Sequence, residues 1–327
     1  MGLIVMSLYG ALLAFTIALL AGPHVIGYLH RLRFGQNVRT DGPKTHLKKA
    51  GTPTMGGVLI VFAATISILV LAPNHMDVRY CLLATLGFAL IGFVDDFISV
   101  VAKRPLGLKA RYKFIGQLLV GLAVSLHAVG SPHIGTDMLV PFTTFSITLP
   151  LWAFVLFAVL TMVGAANAVN FTDGLDGLAA GTTAVAAVSY ALICIGLGKW
   201  ELAAFAGTIA GACLGFTWFN AHPAQVIMGD TGSLGLGAAL GALAVVTGTE
   251  LFLVIIGGVF VIETMSVILQ VGYFRLTGGK RIFKMSPLHH HFELLGWPES
   301  KVVFRFWILA FVFALLGLAG FSTGLVL

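Results

Sequence analysis

Four polar side chains recur at every third position in the segment NAVNFTDGLDG, which spans residues 167–177 between two long apolar runs. They are Asn167, Asn170, Asp173 and Asp176. Residues three apart lie on neighbouring parts of one helix face, so the spacing predicts a polar stripe that ends in carboxylates. Because an ionised side chain in or beside a bilayer costs several kcal/mol, such a stripe indicates a functional path or site.

Two further clusters place carboxylates at the ends of apolar runs. Asp95 and Asp96 end the run GFALIGFVDDF, and adjacent carboxylates repel each other unless a cation or a proton lies between them. A loop cap beside nearby basic residues is the alternative interpretation. Asp230 lies in GDTGS, where a helix is predicted to begin, so free backbone N–H groups could receive phosphate while the carboxylate holds a divalent cation. A simple helix N-cap would also explain it.

A fourth cluster is the histidine run in KMSPLHHHFELLGW. Three consecutive side chains, His289, His290 and His291, do not all face one ion easily, so contacts with a phosphate or sugar are favoured over a transition-metal site. The acid Glu263 lies in the middle of the preceding apolar run. An intramembrane acid indicates function, although a hydrogen bond to a neighbouring helix would explain it equally well.

These donor types suggest phosphate chemistry. Carboxylate and amide oxygens without a set of cysteine ligands favour a hard ion, and Mg²⁺ commonly bridges carboxylates and substrate phosphates. A membrane enzyme with such residues could couple a soluble pyrophosphate-containing donor to a lipid phosphate, with basic loops positioning the reacting groups.

The elements that must position these residues are membrane-spanning helices. The 327-residue chain is 58% hydrophobic and 10% charged, with a mean hydropathy of +0.99, which excludes an ordinary soluble globule. Apolar runs near the ~20 residues needed to cross a bilayer predict about ten spans, at 3–22, 55–72, 80–100, 112–129, 150–168, 177–197, 200–219, 233–249, 251–272 and 302–325. A short β-hairpin is predicted after Asp137, where apolar and polar residues alternate.

The distribution of Lys and Arg predicts the orientation. One set of loops contains nearly all of them, whereas the opposite set contains only Arg79 and Lys199. By the positive-inside rule the basic loops, and with them all four polar clusters, are expected in the cytosol and both termini outside. The formal charge of +6 suits anionic lipid or a phosphorylated substrate, and no nucleic-acid-binding motif is present.

Six segments together resemble the phospho-N-acetylmuramoyl-pentapeptide transferases of bacterial peptidoglycan synthesis. They are TPTMGG, GFVDDF, NAVNFTDGLDGLA, HPAQVIMGDTGSL, FVIETMSVILQV and KMSPLHHHFELLGW, and they run from near the start of the chain to its last span. The double Asp, TDGLDG and GDTGS are shared more widely by polyprenyl-phosphate N-acetylhexosamine-1-phosphate transferases. Within this wider group, the SPLHHHFEL segment resembles the phospho-N-acetylmuramoyl-pentapeptide transferases in particular.

The resemblance implies a single integral membrane transferase domain over residues 1–327, in the bacterial plasma membrane, with a cytosolic active-site cleft. The implied reaction is a Mg²⁺-dependent transfer from UDP-N-acetylmuramoyl-pentapeptide to undecaprenyl phosphate, which gives lipid I and UMP. A homodimer is the usual assembly. A bent ninth span would form the groove for the polyprenyl chain.

The resemblance also implies roles for individual residues. Asp230 would be the principal Mg²⁺ ligand, with Asp173 as a second ligand, and Asp95 and Asp96 would be the acid pair near the lipid phosphate. The implied substrate contacts are Lys49, Lys113, Asn170, Asp173, Asp176, Asn220, His289, His290 and His291.

Two other functions are weighed against this one. A related transferase that uses UDP-N-acetylglucosamine is disfavoured by the histidine-rich segment. A carrier or flippase for a polyprenyl-linked sugar predicts movement of substrate without formation of UMP. Transporters typically place their ionisable groups near mid-span, whereas here these groups lie at the ends of apolar runs.

Overall fold

The structure, a computed structural model, describes residues 2–32, 51–72, 74–101, 107–131 and 134–326. These residues form twelve helices and two strands. The elements are α1 (Gly2–Arg31), α2 (Gly57–Leu71), α3 (Met76–Val101), α4 (Ala110–Gly130), β1 (Asp137–Leu139), β2 (Ser146–Thr148), α5 (Leu151–Thr172), α6 (Leu178–Gly196), α7 (Trp200–Asn220), α8 (Gly229–Thr247), α9 (Glu250–Ile256), α10 (Gly258–Leu276), α11 (Leu288–Leu294) and α12 (Glu299–Val326).

Nine helices in the described part of the chain are long and apolar enough to cross a membrane. The prediction of a polytopic all-α membrane protein is therefore confirmed. The second predicted span is shorter than expected, because α2 has 15 residues. At 1.5 Å per residue it covers about 22 Å, less than the ~30 Å hydrocarbon core of a bilayer.

The ninth predicted span is broken. Helix α9 ends at Ile256 and α10 begins at Gly258, so the helix is interrupted at Gly257. A Cβ at Gly258 would lie 2.5 Å from the Phe313 ring of α12, which explains why a residue without a side chain is needed there. Between α5, α8 and the broken helix lies an apolar cavity of about 240 Å³.

The centre of the bundle is α8, which packs against α3 and α5. Of the residues in its most apolar 18-residue stretch, 89% are buried. Small residues allow this close packing. A Cβ at Gly237 would lie 2.4 Å from the Ala165 carbonyl oxygen, and one at Gly241 would lie 2.8 Å from Met162 Cα. Lipid supplies no hydrophobic driving force between helices, so close backbone approach of this kind is what stabilises α8 against α5.

The predicted hairpin is also confirmed. Strands β1 and β2 pair antiparallel, with Asp137 opposite Thr148. The Leu139 backbone N–H donates to the Gly248 carbonyl (2.8 Å), which fixes the hairpin beside the end of α8. The hairpin therefore lies at the end of the bundle opposite to Asp230, which is in the first turn of α8.

Candidate active site

Three of the polar clusters meet around the start of α8. Asp95 lies near the end of α3, Asn170 in the last turn of α5, and Asp230 in the first turn of α8. Antiparallel helices joined by short loops bring these helix ends to the same end of the bundle. The spacing of the clusters along the sequence therefore becomes proximity in space.

Asp230 is held by two neighbouring helices. The Asn170 side-chain amide donates to Asp230 Oδ1 (2.7 Å) and to Ser233 Oγ (2.8 Å). The Lys113 ammonium of α4 pairs with Asp230 Oδ2. The side chain of Asp230 keeps 24% of its surface exposed, so its orientation is restrained while a ligand can still reach it.

Asp95 lies on the other side of the same lysine. Its Oδ2 is 4.0 Å from Lys113 Nζ, and its Oδ1 accepts a hydrogen bond from the Leu108 backbone N–H (2.9 Å). Asp95 and Asp230 therefore lie on either side of one ammonium group. Two like charges this close require a proton or a cation between them, and Lys113 supplies positive charge at this point.

Asp96 contacts the backbone at the start of α8 and caps this helix. Its Oδ1 accepts from the Asp230 backbone N–H (3.0 Å), and its Oδ2 accepts from the Thr231 backbone N–H (2.9 Å) and hydroxyl (2.7 Å). The residue is 8% exposed. A carboxylate is stabilising at a helix N-terminus because it satisfies free N–H groups and complements the helix dipole. The adjacent aspartates therefore have different surroundings: one faces the open cluster and the other orients Asp230.

Glycines make this arrangement sterically possible. A Cβ at Gly92 would lie 2.2 Å from the Asp230 carbonyl oxygen, and one at Gly57 would lie 2.1 Å from the Gly232 backbone nitrogen. The GFVDDF and TPTMGG segments thus bring α3 and α2 into backbone contact with the start of α8. Any larger residue at position 57 or 92 would push one of these helices away from Asp230.

The second half of the NAVNFTDGLDG segment forms a loop that is fastened to α12. His222 Nδ1 lies 2.9 Å from Asp176 Oδ2 and 3.4 Å from Glu299 Oε2. The Asp176 backbone N–H donates to Glu299 Oε1 (2.7 Å). The ligand atoms of these three residues lie within 4.8 Å of one another, close enough to hold a metal ion. This group is distinct from the predicted pair of Asp230 and Asp173.

Asn220 fastens the same loop from α7. Its Oδ1 accepts from the Gly177 backbone N–H (2.9 Å), and its Nδ2 donates to the Val226 carbonyl (2.8 Å). With 3% of its surface exposed, Asn220 supports the loop from behind. Trp307 of α12 adds a hydrogen bond from its indole N–H to the Gly177 carbonyl (3.2 Å).

The three histidines have three different surroundings. His289 is fully buried, and its Nε2 faces Gly174, where an added Cβ would lie 2.1 Å from it. His290 Nδ1 lies 2.8 Å from Glu293 Oε2. His291 Nδ1 accepts from the Lys284 backbone N–H (3.1 Å). His289 therefore reaches the loop that follows α5.

Asp173 and Lys49 were also predicted as site residues. Asp173 is the C-terminal cap of α5, and its backbone N–H donates to the carbonyls of Val169 (3.1 Å) and Asn170 (3.2 Å). Lys49 lies outside the described residues.

Sequence reasoning did not find Glu299 as part of the site, and it did not predict the contact of Thr231 with Asp96. Glu299 carries a weak signal, because an acid in the first turn of an apolar helix is typical of an N-terminus and suggests no partner 123 positions earlier. Thr231 was recognisable only as a helix-start residue. Their partners, Asp176 and Asp96, depend on how the helices pack.

Comparisons with known proteins identify the family. A family model for glycosyl transferase family 4 matches residues 78–248, and a signature for phospho-N-acetylmuramoyl-pentapeptide-transferases matches residues 49–61. Curated proteins with the name phospho-N-acetylmuramoyl-pentapeptide-transferase are similar over nearly their whole length. The protein from Moorella thermoacetica is 55% identical over 306 residues, covering 94% of this chain and 96% of its own.

Two other relatives of the same name are similarly close. The Desulforudis audaxviator protein is 52% identical over 326 residues, covering 96% of this chain and 97% of its own. The Bacillus subtilis protein is 48% identical over 316 residues, covering 95% and 96%. The chain belongs to the phospho-N-acetylmuramoyl-pentapeptide-transferase family.

The matched regions cover different parts of the site. The range matched by the glycosyl transferase model contains Asp95, Asn170 and Asp230. The histidine segment lies beyond residue 248, outside that model. The transferase signature begins at Lys49 and contains Gly57, which contacts the start of α8.

Proposed function

We propose that this protein transfers phospho-N-acetylmuramoyl-pentapeptide from UDP-N-acetylmuramoyl-pentapeptide to undecaprenyl phosphate, producing lipid I and UMP. The observation that carries the proposal is the cluster of Asp95, Asp230 and Lys113 at one end of a membrane-spanning bundle. Two carboxylates and an ammonium group at the end of the bundle suit phosphate groups that meet at the membrane surface. The names of the relatives support the identity of the transferred group.

The donor set of the cluster fits Mg²⁺. Asp95 and Asp230 both face Lys113, and Asp173 follows the last residue of α5. Hard oxygen ligands with room for phosphate oxygens are what Mg²⁺ prefers. We propose Asp230 and Asp173 as its ligands. Bound there, the ion would neutralise charge that develops on the donor phosphates.

The chain's own residues would then carry the transfer. A phosphate oxygen of the acceptor attacks the β-phosphorus of the donor, a new P–O bond forms, and the bond to UMP breaks with its electron pair leaving on UMP. Asp95 takes the remaining acceptor proton when one is present. Lys113 lies between the two carboxylates and would attract both phosphates. Asp96 acts through Asp230, whose backbone it holds.

The donor would lie along the loop after α5. We propose that Asn170, Asp173 and Asp176 line its binding site. Lys49, Asn220, His289, His290 and His291 complete the set expected from the family. The acceptor chain would occupy the apolar cavity between α5, α8 and the broken helix of α9 and α10, which is lined by Leu160, Leu240, Leu253, Phe260 and Met265.

The basic loops and the family membership support a proposal for the membrane and the orientation of the chain. The chain is a multi-pass membrane protein, and we propose the bacterial plasma membrane with the site facing the cytoplasm and both termini outside. The 327 residues would act as one transferase domain. We further propose a homodimer, which native mass spectrometry of the purified protein would test.

One assay separates this function from its rivals. The purified protein is incubated with UDP-N-acetylmuramoyl-pentapeptide, undecaprenyl phosphate and Mg²⁺, and UMP and lipid I are measured. We expect both products in equal amounts and none without acceptor. Turnover with UDP-N-acetylglucosamine instead would identify the related transferase. Substrate movement across proteoliposomes without any UMP would identify a carrier.

A further inference from the structure

Glu263 is a fully buried acid on α10 that contacts the histidine segment. Its Oε2 accepts from the Leu288 backbone N–H (2.7 Å), and its Oε1 accepts from the His289 backbone N–H (3.2 Å). His289 Nδ1 lies 3.3 Å from the same Oε1, an ion-pair distance that lacks the angles of a hydrogen bond. The Glu263 carboxylate thus contacts both the first backbone N–H groups of α11 and one edge of the His289 ring.

The other edge of that ring faces the loop after α5. His289 Nε2 points at Gly174, next to Asp173, and has no hydrogen-bond partner among the residues that the structure describes. A buried imidazole nitrogen without a partner is expensive unless a ligand or a neighbouring group uses it. Its position beside Gly174 is at the loop that the proposed function assigns to the donor.

Gln270 lies two turns further along the same face of α10. Its Oε1 accepts from the backbone N–H groups of Ile282 and Phe283, both at 3.0 Å, and its Nε2 donates to the Phe283 carbonyl (3.0 Å). Gln270 therefore also fastens the segment between α10 and α11, but it does not contact a histidine ring in the described structure. It is the natural control for Glu263.

We infer that Glu263 is a positioning residue that holds His289 against Gly174 of the donor loop. The inference rests on the proposed function for its catalytic consequence, but not for its structural one. It distinguishes Glu263 from an acid that only joins two helices, because the acid here orients a ring whose free nitrogen faces the site. The same helix lines the apolar cavity with Val261, Thr264 and Met265, so α10 joins that cavity to the histidine segment.

The catalytic test is a double-mutant cycle on Glu263→Ala and His289→Ala. If Glu263 acts through His289, each single change lowers kcat by about tenfold or more, and the double variant is no slower than His289→Ala alone. The KM for undecaprenyl phosphate should change less than kcat. Glu263→Gln, which keeps one acceptor oxygen, should retain more activity than Glu263→Ala. Gln270→Ala should lower thermal stability but change kcat by less than about threefold.

The structural test needs no activity. Diethyl pyrocarbonate modifies accessible histidines, and tandem mass spectrometry locates the modified residue. In the unaltered protein His289 should react far more slowly than the exposed His24, which serves as the internal reference. Glu263→Ala should raise the relative rate at His289 by about tenfold, Glu263→Gln should raise it less, and Gln270→Ala should leave it near the original rate.

Three results would overturn the inference. His289 could stay equally protected in Glu263→Ala, the two kcat effects could multiply in the double variant, or Gln270→Ala could expose His289 as strongly as Glu263→Ala. Failure of the proposed function has a different signature. In that case the unaltered protein releases no UMP, while the modification rates still show whether Glu263 holds His289.

Discussion

The side-chain amide of Asn170 donates to Asp230 Oδ1 across 2.7 Å, and this bond joins the last turn of α5 to the first turn of α8. Asn167, one turn earlier on α5, instead donates to Gln117 Oε1 (2.9 Å) and to the Val163 carbonyl (2.8 Å). The polar stripe is therefore divided. Its first member supports helix packing, and its second orients the carboxylate at the centre of the candidate site.

This division predicts unequal effects of matching substitutions. Asn170→Ala leaves Asp230 Oδ1 without its donor and should lower kcat by about 10- to 100-fold. Asn170→Asp should lower it further, because a second carboxylate beside Asp230 adds repulsion. Asn167→Ala should change thermal stability but lower kcat by less than about threefold. UMP release and thermal unfolding of the three variants provide the comparison, and equal losses in Asn167→Ala and Asn170→Ala would contradict the assignment.

Asp230→Asn should nearly abolish turnover, because a neutral amide oxygen binds Mg²⁺ much more weakly than a carboxylate does. Chelation with EDTA should have the same effect on the unaltered protein, and added Mg²⁺ should restore its activity. The variant should require much more Mg²⁺ for whatever activity remains. A near-normal rate with an unchanged Mg²⁺ titration would remove Asp230 from this role.

Asp95→Asn should keep measurable activity that rises with pH. The second pKa of a phosphate monoester is near ~6, so above that value the acceptor is already largely a dianion and a general base adds only roughly 10²–10⁴-fold. The alternative is a covalent phosphosugar intermediate on a carboxylate. UMP released in a burst without undecaprenyl phosphate, or a phosphosugar adduct trapped by mass spectrometry, would support that alternative instead.

Asp96→Asn should behave differently from Asp95→Asn, because Asp96 caps α8. The amide offers one acceptor oxygen where the carboxylate offers two, so the variant should lose about 1–2 kcal/mol of stability. Its kcat should fall through displacement of Asp230 and should not recover at high pH. Thermal unfolding of both variants, together with their pH–rate profiles, separates the cap from the base.

Glu250 provides a test at the opposite end of the bundle. The residue is 1% exposed, both of its carboxylate oxygens are without hydrogen-bond partners in the described structure, and burial raises its pKa to about 8. An unfolded Glu has a pKa of about 4.3, so the folded state binds more protons between these values. The free energy of unfolding should therefore fall as the pH rises from about 4.3 to about 8.

Glu250→Gln should remove this part of the pH dependence. Its stability gain over the unaltered protein should be small near pH 5 and should grow to a few kcal/mol near pH 8. Thermal unfolding in detergent micelles across this range measures the difference. Parallel stability curves for the two proteins would show that the carboxyl group does not titrate within this window.

The sequence by itself determined the membrane-protein class, nearly all of the spans, the hairpin and the list of polar clusters. These features depend on local properties, namely the length of an apolar run and the alternation of apolar and polar residues. The polar clusters stand out because placing Asp, Glu or His in lipid costs several kcal/mol. The family resemblance added the reaction and the residue types that it requires. Asp95, Asn170 and Asp230 are therefore all among the residues that the sequence predicts for the site, and the structure brings them together.

Only the tertiary structure decided what each residue touches. Asp95 and Asp96 are adjacent in sequence, but one faces Lys113 and the other caps α8, because successive residues on a helix point about 100° apart. His289 faces Gly174 and Glu263, His290 faces Glu293, and His291 accepts from the Lys284 backbone. Glu299 reaches Asp176 from 123 positions away. Such contacts follow from the packing of helices distant in sequence, which no local pattern of residues specifies.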